Sequence, residues 1–173
     1  MKALCCFALA SALALVPTPP ATSQDIFGGF VLAKVCLPYA SRAQSFETTI
    51  KAARDMEFRL PTDAPPIPDW ASEIELVSRD GAWWVTFGEN TVMQGEREVY
   101  AVRCSIRSKR ASARELGAAA GMVLRTNENW TAADPDTRRW TRRLTRPDAI
   151  SLNVDVEDTG DGRPTLSATG SYH

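Results

Sequence analysis

The chain is predicted to be α+β: an antiparallel sheet of about four to six strands with two or three helices packed on one face. Three observations predict this. Two segments carry apolar residues at helical spacing behind capping signals. Several others alternate apolar and polar residues with period two. Each half of the chain also runs in the same order: a cysteine, a capped amphipathic helix, then strands rich in tryptophan. That order suggests a duplicated helix–strand–strand unit, with layers that pack as a sheet under helices.

The elements follow in sequence. "DIFGGFVLAKV" (25–35) spaces Phe27, Phe30, Val31 and Val35 for a helix with Asp25 as N-cap, although Gly28-Gly29 weakens it. Ser41 and Gln44 read as a capping box for an amphipathic helix over 42–58, with Phe46, Ile50, Ala53 and Met56 as its stripe. Pro61 stops it. "PTDAPPIPDW" (61–70) reads as a stiff surface crossing. "GAWWVTF" (81–87) and "REVYAVRCSIR" (97–107) alternate as strands joined by a turn in "MQGE" (93–96). The second strand puts Tyr100, Val102, Cys104 and Ile106 on one face, and Arg103, Ser105 and Arg107 on the other.

Ser112 and Glu115 cap a second helix, with Leu116, Ala119, Ala120, Val123 and Leu124 as its stripe and Asn127 as its stop. Gly117, Ala118 and Gly121 would let it sit close to a neighbour. "DTRRWTRRLTR" (136–146) fits strand or helix. "AISLNVDVE" and "TLSATGSY" alternate around the turn cluster "DTGDGRP" and form a C-terminal hairpin.

The first residues address the compartment. Met1-Lys2, the apolar run 3–16 and the small residues Ala21 and Ser23 have the layout of a secretory signal peptide over 1–23. The run is short of the ~20 residues that span a bilayer. Cleavage before Gln24 leaves 24–173 as one globular domain in the periplasm or medium. The short leader and the Ala/Arg-rich composition point to a bacterial periplasm.

With 20 basic and 21 acidic side chains the charges nearly cancel, which argues against nucleic acid as a partner. Cys5 and Cys6 leave with the leader and lie too early for a lipid anchor. Cys36 and Cys104 remain, and an oxidising compartment favours a bridge between them. Their spacing matches no zinc pattern. The one histidine is the terminal His173, which removes thiol–imidazole and other histidine-based catalysis.

Arg138, Arg139, Arg142, Arg143 and Arg146 form the loudest charge cluster, with Arg103, Arg107, Lys109, Arg110 and Arg114 as a second basic stretch. The first cluster is a candidate site for an anionic envelope component or an envelope protein. Cross-strand pairing with Asp155, Glu157 and Asp158 is the favoured alternative.

Five tryptophans are many for this length. Trp83, Trp84 and Trp140 are candidates for an aromatic platform, with core or helix cover the favoured fate. Trp83 and Trp84 must point to opposite faces of their strand, so at most one enters the core there. "DVEDTGDG" (155–162) lacks calcium-loop spacing and reads as a hairpin turn. No cofactor motif and no metal set is present. Glu73, Glu75, Glu89, Asp155 and Glu157 are the carboxylates from which a glycan-cleaving pair would have to come.

The short leader, "VCLPYA" entering a helix and a second cysteine on a strand resemble small secreted proteobacterial proteins of unknown function. The resemblance implies compartment and fold and carries no active site. The expectation is a non-enzymatic binding domain of the cell envelope. A small carboxylate-based cell-wall or glycan hydrolase is the alternative.

Overall fold

A computed structural model describes residues 23–65, 67, 71–126, 129–133 and 138–173. Nearly all of the expected leader therefore lies outside the described residues, as do Trp70 and Asn127.

The first helical segment is a continuous rod in three parts. It comprises α1 (Ser23–Val31), a π-helical turn (Leu32–Cys36) and α2 (Leu37–Ala40). The widened turn sits immediately before Pro38, where a missing N–H and a ring clash would break an ordinary α-ladder. Two further helices, α3 (Phe46–Asp55) and α4 (Ala113–Arg125), complete the layer among the described residues.

Eight strands form one sheet: β1 (Phe58–Arg59), β2 (Glu73–Ser78), β3 (Trp83–Gln94), β4 (Arg97–Ser108), β5 (Thr131–Ala132), β6 (Arg139–Arg143), β7 (Ala149–Glu157) and β8 (Thr165–Tyr172). Their order is β1-β2-β3-β4-β8-β7-β6-β5, and every pairing is antiparallel. Two four-strand meanders thus meet at a β4–β8 seam. Each follows a helix and opens with a two-residue edge strand.

The class is as expected, but eight strands exceed the expected four to six. β1 and β5 are too short to show a period. β2 carries its signal in Ile74 and Leu76, buried between the outward Glu73, Glu75 and Val77. Residues 139–143 settle as strand, with Trp140 buried and flanked by exposed Arg139 and Thr141.

The helix starts divide. Ser112 and Glu115 form the expected box: Ser112 Oγ accepts from the Glu115 N–H at 3.3 Å, and Glu115 Oε2 accepts from the Ser112 N–H at 2.6 Å. Ser41 is not a cap. It ends α2, and its hydroxyl donates to the Pro38 carbonyl at 3.2 Å. Ser45 caps α3 instead, accepting from the Thr48 N–H at 3.2 Å. The rod runs on through Ala40, so the next helix cannot start until the chain has turned. Gln44, assigned to the box, leaves its buried Oε1 without a hydrogen-bond partner.

That turn puts Arg42 at φ +56°, a left-handed conformation that costs a non-glycine residue about 1 kcal/mol. Its guanidinium offsets the strain, lying 5.5 and 5.2 Å from the ring centres of Tyr100 and Tyr172. It also pairs with Asp148 at 3.7 Å.

The rod lies across the seam and is fastened there. Cys36 and Cys104 are bridged, both fully buried. The Tyr172 hydroxyl donates to the Ala40 carbonyl at 2.6 Å. Gly170 makes the approach feasible, because a Cβ there would stand 1.9 Å from that same carbonyl. The bridge does not tie equivalent points of the two halves. Cys36 belongs to the rod, which the second half lacks.

Gly28 and Gly29, which weaken α1 locally, form its packing face. Added Cβ atoms would meet Leu116 and Trp83 at 3.0–3.4 Å, or Ala119 and Val123 at 3.3 Å. Phe30, expected inside, is therefore turned out and 50% exposed.

Candidate functional site

All the described helices cover one face of the sheet. The other face is open, and the register lays its side chains out in rows. One row crosses six strands: Glu75, Thr86, Ser105, Ser167, Asp155 and Arg139. A flanking row holds Trp84, Arg107, Thr165 and Glu157, and the other holds Glu73, Gly88, Arg103, Thr169 and Asn153. The period-two alternation that buries Val85, Phe87, Cys104, Ile106, Leu166 and Ala168 on the helix side places these polar residues outside.

Hydrogen bonds fix the rows. Arg107 forms an ion pair with Glu75, which also accepts from the Thr86 hydroxyl at 3.3 Å. Arg103 donates to Ser167 Oγ at 3.3 Å, and Arg139 Nε donates to Asp155 at 2.6 Å. Ser167 and Thr165 are only 4% and 7% exposed although no helix covers them. The long side chains beside them wall a groove of about 470 Å³ over β3, β4 and β8. That volume lies within the usual range of ligand sites, about 300–1,000 Å³.

Three of the five candidate carboxylates, Glu73, Glu75 and Glu157, line this groove from the open face, while Glu89 shares the strand parity of Val85 and Phe87 and turns its carboxylate to the helix side. Their partners differ. Glu75 is held by Arg107 and Thr86. Glu89 accepts from the hydroxyls of Tyr39, at 3.2 Å, and Tyr100. Glu73 forms no side-chain hydrogen bond or ion pair among the described residues. Asp155, the fifth, is bound to Arg139.

The tyrosine contact has a pH consequence. Burial, then the Glu89 charge and the hydrogen bond to it, push the Tyr39 hydroxyl well above its ordinary value near 10. A raised folded pKa stabilises the fold below the unfolded value, and that contribution is lost as pH climbs through the folded one. Stability should therefore decline as the pH passes about 10. Tyr39→Phe should flatten the decline. Melting temperatures taken from pH 8 to 11 on both proteins check this, and equal slopes would count against it.

Of the three platform tryptophans, only Trp84 stands on the open face. Trp83 and Trp140 are 4% and 9% exposed, buried on the helix side with Phe27 and Gly121 as neighbours. Strand parity sends Trp83 and Trp84 to opposite faces, as the sequence requires. Lys109 and Arg163 approach the Trp84 ring to 4.8 and 5.4 Å from its centre.

The arginine cluster does not converge. On β6, Arg139 and Arg143 share the open face, while Arg142 falls on the side of buried Trp140. Arg139 pairs with Asp155 in register, and Arg146 with Asp148 at 3.1 Å. In the second basic stretch Arg107 and Arg110 are paired, the latter with Asp80 at 2.8 Å. "DVEDTGDG" is the end of β7 and the start of the hairpin turn, with Gly160 and Gly162 at positive φ.

A larger cavity of about 590 Å³ sits beside the β2–β3 turn, between Phe27, Met56 and Trp83. Its polar groups serve the turn itself. Asp80 accepts from the Ser78 hydroxyl and the Ala82 N–H, which hold its carboxyl below the usual range, and Ser78 accepts from the Trp83 N–H. The open-face groove is the better candidate.

No helix among the described residues is long and apolar enough to cross a membrane. The buried bridge fits an oxidising, extracellular location. Comparison with protein-family models, with curated proteins and with solved structures found no match.

Proposed function

We propose that the chain is an exported, non-enzymatic binding domain of the bacterial cell envelope, and that it takes a carbohydrate in the open-face groove. The groove lining of Glu75, Thr86, Ser105, Arg107 and Thr165, laid out in register across four strands, carries this reading. Sugars are recognised by planar charged groups and hydroxyls held in fixed directions. Here the carboxylate, guanidinium and hydroxyl groups are already oriented by one another, so little ordering entropy opposes binding.

Ser105 lies in the groove, so Ser105→Tyr fills it without entering the core. Titrating the protein with envelope oligosaccharides should shift amide resonances of Thr86, Ser105 and Thr165, which line the groove, and the tyrosine variant should lose those shifts. Shifts confined to the helical layer, or unchanged in the variant, would contradict the proposal.

The same groove supports a second reading, a glycan hydrolase, because it gathers three of the candidate carboxylates, Glu73, Glu75 and Glu157. Release of reducing ends that disappears in Glu73→Gln or Glu157→Gln would establish that reading. No release across an envelope-glycan screen would end it.

A further inference from the structure

Lys109 and Arg163 reach the same indole from different loops. Lys109 leaves the end of β4, and Arg163 lies in the β7–β8 turn. Both are exposed, and neither forms an ion pair among the described residues. One ring thus gathers two cations, each within about 5.5 Å of its centre. The nearest acid along the chain, Asp161, accepts from the Thr159 hydroxyl at 2.5 Å and the Arg163 N–H at 2.9 Å, and feels the Arg163 charge without forming an ion pair with it. Trp84 borders the groove: it pairs with Arg107 across β3–β4 and stands two residues from Thr86 on the same face. Arg103, within the groove, is a third cation, whose one hydrogen-bond partner among the described residues is the Ser167 hydroxyl.

We infer that Lys109 and Arg163, held over Trp84, form an anion subsite at the end of the groove, so that the ligand is an acidic sugar bearing a carboxylate or phosphate. The acidic group would pair with these cations at the Trp84 end, and the adjoining ring would enter the groove toward Arg107 and Thr165. This rests on the groove being the carbohydrate site. The groove carries its own carboxylates, Glu73, Glu75 and Glu157. They disfavour a uniformly polyanionic ligand and favour one that bears a single acidic group.

The test is calorimetric titration of wild type, Lys109→Ala/Arg163→Ala and Ser105→Tyr with three probes of equal length: a neutral hexose oligomer, the same oligomer ending in a single uronate, and the same oligomer ending in a single phosphate. Both substituted cations are exposed loop residues, so the double variant should fold normally.

Wild type should bind one or both acidic probes at least about tenfold tighter than the neutral one, as expected for charge-assisted hydrogen bonds. The stronger acidic probe identifies carboxylate or phosphate. The double variant should bind all three probes alike, and Ser105→Tyr should bind none. Equal affinity of wild type for acidic and neutral probes, or a preference that survives in the double variant, would overturn the subsite and leave the groove reading intact. Absence of sugar binding by wild type would overturn both.

Discussion

Replacing Cys36 and Cys104 together by alanine should lower the melting temperature by roughly 8–16 °C. The bridge closes a loop between residues 68 apart, which restricts the unfolded chain by about 4 kcal/mol in the chain-entropy account. For a domain of this size each kcal/mol moves the midpoint by about 2–4 °C. The bond is the covalent fastening between the helical rod and the β4–β8 seam, so its loss should also loosen the rod. Calorimetry on the oxidised and substituted proteins measures the first effect, and amide exchange across residues 23–40 the second. A midpoint change of only a degree or two would mean that the packing of the rod alone carries the fold.

Gly170→Ala is the most damaging single methyl group the fold can receive. The added carbon would stand 1.9 Å from the Ala40 carbonyl oxygen and 2.8 Å from the Tyr172 ring and hydroxyl. The obstacle is backbone, so no side-chain rotation relieves it. Either α2 lifts off β8 or the strand bends, and the hydrogen bond from Tyr172 to Ala40 is lost with it. The cost should be about 3 kcal/mol, at the upper end for overpacking. Gly117→Ala is the control. Its Cβ would meet only the Arg138 side chain at 3.8 Å, on a helix where alanine is favoured by about 1 kcal/mol, so that variant should be neutral or more stable. Denaturant midpoints for both variants check the pair. A harmless Gly170→Ala would show that the rod does not lie where the structure puts it.

Much of this was legible in the residues, and the failures have definite causes. The bridge followed from compartment and count. β3, β4, β7 and β8 followed from alternation, and the Ser112–Glu115 box from its spacing. The Ser41–Gln44 pair has the same spacing, with Gln in place of Glu, but lies at the end of a helix. Sequence spacing does not record that the rod continues through Pro38 by widening one turn. β1 and β5 are two residues long and have no period to read.

The site was legible only in part. Arg103, Ser105 and Arg107 were placed outward correctly from the alternation of β4. The arginines of 138–146 drew notice by number, yet β6 divides them between two faces. Ser167 and Thr165 gave no signal, because their importance arises from register across the seam, which only the paired strands reveal. Lys109 was visible as part of a basic run. Its meeting with Arg163 over Trp84 joins two distant loops.

The central claim is an exported domain in which one bridge fastens a helical rod to the sheet. Intact-mass spectrometry of the protein taken from its own cell envelope without reductant tests it most directly. The account predicts a mass for residues 24–173 short of two hydrogens. A chain that retains its first 23 residues, or one that carries two alkylatable thiols at Cys36 and Cys104, would contradict it.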